Sequence, residues 1–398
     1  MTPQDEALLK EAEAGAPWPL CQRGLWRLIG QPVEQDIDGG RADIERAAQT
    51  GLPEGLLLSA TIAVMPAFGQ PDWEKAATRL RDAAMLDDGR AHRQLAFLLP
   101  AQMSALQKRL FRRAALWGDV TSQSFLAQLL MRSASPAEKK EAGFWAAAAR
   151  KAGDPSAPTA EARDQPRFEP ENFDLREVMS HLEWPHNRPA PERRDPGPVP
   201  LIAHFKGVFT RNECLYVMSR GAAVMQPADV HTKEGGLTTS ALRTNRHMMF
   251  GVIESDVVVQ SLDARLCQVA GLEAPNTERF SLLHYRPGEQ YAPHFDFFDR
   301  DAPGQASEIA RHGQRIQTCL CYLNEGFTGG ETEFPQLGIK FKGTLGDALL
   351  FSNVDAQGRE EKRAEHAGLP PKTGAKWMLT KWVRDRAQTT NWGAPPPG

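Results

Sequence analysis

The stretch HYRPGEQYAPHFDFFD, residues 284–299, sets His294 and Asp296 two positions apart beyond a turn built on Pro287 and Gly288. Residues i and i+2 of a β-strand project from one face, so an imidazole and a carboxylate at this spacing can approach one ion together. Two ligands hold a divalent iron weakly, and such pairs also arise by chance. After His312 the chain contains one more histidine, His366. His294, Asp296 and His366 would together supply two imidazoles and one carboxylate, the set that suits a non-haem Fe(II) centre with coordination positions left open. Ten residues beyond His366, Lys376 falls inside the apolar run AKWMLTKWV. A lone lysine is ordinarily a solvated surface charge, but an ammonium turned inward from such a run needs an anion. A dicarboxylate that chelates iron through a keto-acid end and meets Lys376 with its far carboxylate satisfies both demands, which points to 2-oxoglutarate (2OG).

Five segments carry a family likeness around these residues: ALRTNRHMMF, HYRPGEQYAPHFDFFD, RIQTCLCYLNEGFTGGETEFP, GTLGDALLFSN and EHAGLPPKTGAKWMLTKWVR. In order and spacing they resemble the prolyl 4-hydroxylase-like Fe(II)/2OG dioxygenases, over about residues 201–386. The resemblance implies that His294, Asp296 and His366 are iron ligands and that Lys376 binds 2OG, with O2 as the other cosubstrate and ascorbate as a supporting reductant. By position it places Tyr285, Thr332 and Trp382 in the 2OG pocket, and Tyr322 where some relatives hydrogen-bond the cosubstrate. Tyr and Trp in strands are also ordinary core residues, and that reading stands beside the functional one. Tyr291 and Arg315 occupy positions that contact substrate peptide in relatives; Arg243 is either a further contact or part of a structural ion pair.

The reaction implied is hydroxylation of a substrate C–H bond coupled to oxidative decarboxylation of 2OG to succinate and CO2. The triad then acts as ligands and no general base is required. A prolyl residue of a protein or peptide is the expected target. Arg384 stands where collagen-type relatives often carry histidine, so a free amino acid or small metabolite remains the alternative. A non-catalytic helical-repeat scaffold with an inactive or sensing dioxygenase domain is a reading of another class. A cupin-fold metal enzyme that ignores 2OG fits the ten-residue step from His366 to Lys376 less well.

Other parts of the chain must position these residues. Over residues 1–154 apolar side chains recur at three- and four-residue intervals, as one face of an α-helix does. Helices that end in small residues are closed by Gly15, Gly51, Gly89, Gly118 and Gly153, each suited to a left-handed cap. The pattern resembles tetratricopeptide and Sel-one-like solenoids, which implies a surface for binding or spacing. Residues 155–200 are proline-rich and read as an extended connector around a short helix in FDLREVMSHLEW. Beyond residue 200 come helices in TRNECLYVMSRGAA and DVVVQSLDARLCQVAG. Short β-rich runs follow: RFSLLHY, IQTCLCYLN, ETEFP, IKFKG, GDALLFSN and WMLTKWV. Short strands between frequent turns predict a double-stranded β-helix of jelly-roll or cupin type with flanking helices. The run APGQASEIA between residues 302 and 311 reads as a mobile lid, and residues 387–398 as a flexible tail.

At 398 residues the chain exceeds one ordinary core, which supports a helical domain followed by a β-rich one. A formal net charge of -3 gives no global reason to bind nucleic acid or an anionic membrane. Five cysteines with no CxxC pair argue against a disulfide framework or structural zinc site. No apolar run reaches the roughly 18 residues of a membrane span, and the acidic N-terminal segment does not read as a signal peptide. These features together predict a cytoplasmic protein.

Overall fold

The computed structural model describes residues 1–154, 157–159, 173–195, 201–231 and 237–388. Parts of the expected connector (155–156, 160–172 and 196–200) and residues 389–398 of the expected tail lie outside the described residues. Two compact units emerge, Met1–Arg188 with Ser255–Ser261 and Pro189–Glu254 with Leu262–Gly398.

The first unit is helical: Pro3–Glu13, Pro17–Ile29, Ile37–Gln49, Pro53–Ala63, Trp73–Met85, Gly89–Leu98, Ser104–Leu116, Val120–Met131 and Pro136–Lys151. Each of these helices packs on its sequence neighbour. Asp36, Asp72, Asp88 and Asp119 start four of them by accepting a hydrogen bond from the backbone N–H of Gly39, Lys75, Ala91 and Ser122. A cap of this kind stabilises a helix by about 1 kcal/mol. Small residues let the helices approach closely. A Cβ on Gly24 would stand 2.9 Å from Gly40 O, and one on Gly40 would stand 2.8 Å from Gly24 O. Gly24→Ala is therefore expected to overpack this seam and cost about 1–3 kcal/mol, read as a lower urea midpoint of the helical circular-dichroism signal.

One expectation for the repeats needs correction. Gly15, Gly51, Gly118 and Gly153 do take the left-handed turn, with φ of 88°, 80°, 82° and 84°. Gly89 does not; Asp87 adopts φ 60° in its place, a conformation that aspartate tolerates better than most residues. Gly89 instead opens the next helix, where a Cβ would sit 3.0 Å from Ala114 O. The steps from position 15 to 51 and from 51 to 87 are consequently both 36 residues.

The second unit is built on antiparallel sheets. The larger contains eight strands in the order Arg193–Arg194, Ile202–Phe205, Ala348–Ser352, Arg315–Tyr322, Lys376–Arg384, Ser281–Tyr285, Arg246–Met249 and Gln226–Pro227. The smaller has four strands, Ile339–Phe341, Thr332–Phe334, His366–Gly368 and Tyr291–His294. All six β-rich runs picked out in the sequence fall in these two sheets. The core lies between them, where Leu283, Leu320, Leu349 and Met378 of the larger sheet meet Phe334 of the smaller. Helix Arg211–Gly221 belongs to this unit and opens with a capping box between Thr210 and Glu213.

Alternation along Lys376–Arg384 sorts its charges onto opposite faces. Lys381 points away from the core cluster and pairs with Asp263 at 2.7 Å, whereas Lys376 faces the same side as Met378. The segment read as a lid forms a helix, Pro303–His312. Its Glu308 accepts a hydrogen bond from Arg384 Nη2 at 2.9 Å. All five cysteines are free and buried, and among the described residues no helix is long and apolar enough to cross a membrane.

Candidate metal centre

The register of the smaller sheet assembles the triad. Strands Tyr291–His294 and His366–Gly368 are antiparallel and place His294 directly opposite His366, while Asp296 follows two residues beyond His294. One potential ligand atom from each of His294, Asp296 and His366 lies within 4.8 Å of the others. Asp296 Oδ1 is 3.6 Å from His294 Nε2, and its Oδ2 is 3.5 Å from His366 Nε2.

Local hydrogen bonds set the protonation of both rings. His294 Nδ1 donates to Ala292 O at 2.8 Å and His366 Nδ1 to Ala364 O at 3.0 Å. A carbonyl can only accept, so each Nδ1 carries a proton, and Nε2 is the ring nitrogen turned toward Asp296. Burial pushes the His366 ring down to about 4, which keeps it neutral at ordinary pH. Burial acts to raise the Asp296 carboxyl, but in the acid range where it titrates the charge of His366, then the hydrogen bond and charge of His294, hold it well below the usual carboxylate range. Two neutral imidazoles and one ionised carboxylate are the protonation states that Fe(II) coordination requires.

A cavity adjoins the triad, and Lys376, Met378, Thr380 and Trp382 form one wall of it. Lys376 is 1% exposed, and no carboxylate pairs with it among the described residues. It lies over the rings of Tyr285 and Tyr322 at 5.3 and 5.6 Å. Burial pushes its ammonium down to about 7, with Glu331 opposing and Lys342 adding to the shift. Tyr285 is its direct cross-strand neighbour, and burial raises that phenol to about 12. A dicarboxylate entering this cavity would meet a desolvated cation at one end and the triad's open side at the other.

The remaining sequence-selected residues divide into two groups. Tyr285, Tyr291, Thr332, Trp382 and Arg243 line the cavity with the triad and Lys376. Tyr291 stacks on His294 with ring centroids 3.4 Å apart, and Arg243 lies over the tyrosine ring at 4.7 Å. Arg243 is further held by Asn245 Oδ1 at 3.2 Å and Asp229 O at 2.9 Å. Tyr322 and Arg315 are not among the lining residues. Tyr322 Oη instead bonds Thr332 Oγ1 at 2.9 Å and donates to Phe341 O at 3.2 Å. Arg315 makes two hydrogen bonds to Glu278, at 2.6 and 2.7 Å, and lies 3.9 Å over Trp382. Sequence reading passed over Met378 and Thr380, although stepping by two from Lys376 leads directly to them.

Comparison with known proteins supplies the family. Residues 280–384 match the 2OG-Fe(II) oxygenase superfamily. Prolyl 4-hydroxylase 1 of Arabidopsis thaliana is 31% identical over 203 residues, which cover 47% of this chain and 70% of the plant protein. The chain belongs to the 2OG-Fe(II) oxygenases related to prolyl 4-hydroxylases. Prolyl 4-hydroxylase subunit alpha-1 of Rattus norvegicus is also 31% identical, over 198 residues covering 50% of this chain. The match spans a little over a third of that subunit, 37% of its length. The helical region of this oxygenase is similar to a Sel1 repeat protein from Oxalobacter formigenes, at 21% identity over 37% of this chain and 63% of that one, with a TM-score of 0.34. Members of the family use Fe(II) and 2OG, and the donors present here fit both. The ligand atoms converge, and a buried lysine lines the same cavity with no carboxylate paired to it among the described residues.

Proposed function

We propose that this oxygenase hydroxylates a prolyl residue of a protein or peptide, using Fe(II), 2OG and O2 and releasing succinate and CO2. His294, Asp296 and His366 would hold the iron, and Lys376 would take the far carboxylate of 2OG. When bound, the metal and cosubstrate supply an oxidant strong enough to hydroxylate an unactivated C–H bond. The chain's own residues bind, orient and exclude water. Tyr285 offers a hydroxyl to a cosubstrate carboxylate, Thr332 lines the same pocket, and Trp382 shields the site from bulk water. Tyr291, in contact with both Arg243 and His294, offers an aromatic edge to a substrate ring. The helical unit is assigned to recruiting the protein that carries the target.

The observation that carries this reading is Lys376: a lysine 1% exposed, in the cavity wall next to the triad, where a ligand's negative charge would offset the cost of burying an ammonium. Anaerobic titration of the Fe(II)-loaded protein with 2OG is expected to develop a visible charge-transfer band. Proline-containing peptides are then expected to gain one oxygen atom by mass spectrometry, with succinate formed in equal amount. A band with no peptide product, but with product from free amino acids, would retain the cofactors and overturn the substrate. Absence of any band in folded, iron-loaded protein would overturn the oxygenase chemistry.

A further inference from the structure

The three ligands are not held alike. Each histidine is fixed by the carbonyl two residues before it in the chain. Asp296 is fixed across the core. Its Oδ2 accepts a hydrogen bond from Thr318 Oγ1 at 2.7 Å. Thr318 Oγ1 in turn accepts from Asn353 Nδ2 at 2.9 Å. Thr318 lies on strand Arg315–Tyr322 and Asn353 directly follows strand Ala348–Ser352, so two strands of the larger sheet reach a ligand beside the smaller one. Thr318 and Asn353 are fully buried, and Asp296 is 7% exposed.

The chemistry of this relay runs in one direction. An amide N–H can only donate, so Asn353 occupies an acceptor position of the Thr318 hydroxyl and leaves that hydroxyl its single proton for Asp296. Asn353 is itself steadied by main-chain bonds, its N–H donating to Ile316 O at 2.8 Å and its carbonyl accepting from Glu361 N–H at 3.0 Å. One carboxylate oxygen of Asp296 is thus committed to a short hydrogen bond, while Oδ1 has no hydrogen bond of that kind and faces His294 Nε2 at 3.6 Å.

From this we infer that Thr318, oriented by Asn353, is a positioning residue that restricts Asp296 to one-oxygen coordination of the metal and so keeps a coordination position open for the cosubstrate. The inference rests on the triad being the metal site. A carboxylate freed of the hydrogen bond can swing both oxygens onto a metal, and the second oxygen would then occupy a position that 2OG needs. The relay accordingly affects 2OG more than the metal. A purely structural role for Thr318 would weaken metal and 2OG together.

The test uses the full-length protein and two readouts other than turnover. Isothermal titration measures the affinity of Co(II) for the apo protein, and then of 2OG for the Co(II)-loaded protein; the visible Co(II) spectrum reports the ligand set. Thr318→Val keeps the side chain's shape and removes the donor. It is expected to bind Co(II) within about threefold of the parent, to alter the Co(II) spectrum in the absence of 2OG, and to bind 2OG about 10–100-fold more weakly, so that a loss of the size outer-shell changes commonly cause in metal affinity or activity falls here on the cosubstrate. Thr318→Ser, which retains the hydroxyl, is expected to restore both spectrum and 2OG affinity. If Thr318→Val proves unfolded, Asn353→Ala is read in its place and is expected to change the spectrum and 2OG affinity in the same direction. Parent-like 2OG binding in the folded variant would overturn the inference. An equal loss of Co(II) and 2OG affinity, or failure of Thr318→Ser to restore them, would do the same. If neither parent nor variant bound Co(II), the reading of the triad itself would fall, an outcome distinct from failure of the relay.

Discussion

Asp296→Asn is expected to abolish the Fe(II)–2OG charge-transfer band and reduce iron affinity by more than about 100-fold, beyond the range seen when only a residue behind a metal ligand is altered. The substitution conserves shape and still presents an acceptor to Thr318, so the relay to Asn353 can persist. It removes the ionised oxygen and can turn an N–H toward two Nε2 lone pairs that also need a metal. Because its surroundings hold the Asp296 carboxyl below the usual range, the folded apo protein favours the ionised form, and removing that charge costs stability at neutral pH. The apo variant is therefore expected to melt below the parent and also to lose the rise in melting temperature that added Fe(II) gives the parent. Retention of the band at parent affinity would remove Asp296 from the ligand set. An apo variant that melts at or above the parent would mean that the unliganded site does not favour the carboxylate's charge.

The legible parts of this site share a short range. His294 and Asp296 reveal themselves because strand periodicity acts over two residues, and His366 because the C-terminal part of the sequence offers few histidines. Lys376 and Lys381 occupy the same apolar run, and only alternation separates them. Lys381 faces the opposite side and is satisfied by Asp263, whereas Lys376 faces the cavity. Sequence reasoning fails where the partner is distant. Thr318 and Asn353 are separated by 35 residues and carry no local pattern. Arg384 suggests a substrate-facing difference from collagen-type relatives, yet it is 2% exposed and bonded to Glu278, Glu308 and Gly313 O, none of them close in sequence. Gly89 shows a complementary limit. A glycine signals that a special backbone is allowed, but the chain spends that freedom on close packing at Gly89 and places the left-handed turn at Asp87.

Lys376→Ala is expected to raise the 2OG requirement by about 100-fold or more while leaving iron affinity within about threefold. Deleting one partner of a buried ion pair costs about 3–5 kcal/mol, and 1.4 kcal/mol is about tenfold in affinity. The parent should also show a proton signature that the variant lacks. Burial lowers the ammonium to about 7 in the protein without ligand, and a carboxylate placed against it raises that value again. The complex then holds more protons than the free protein at any pH between the two values. By linkage, 2OG affinity is insensitive to this group below pH 7 and falls as pH rises above it, by up to about tenfold per pH unit. Calorimetric titration at pH 8 in buffers of different ionisation enthalpy should report uptake of close to one proton per 2OG bound. Below pH 6 the uptake should vanish. Lys376→Arg, whose guanidinium stays charged throughout this range, should retain part of the affinity and lose the pH dependence. Proton uptake at pH 8 that persists unchanged in Lys376→Arg would place the titrating group elsewhere in the cavity. Equal weakening of iron and 2OG in Lys376→Ala would mean that the lysine supports the fold rather than the cosubstrate.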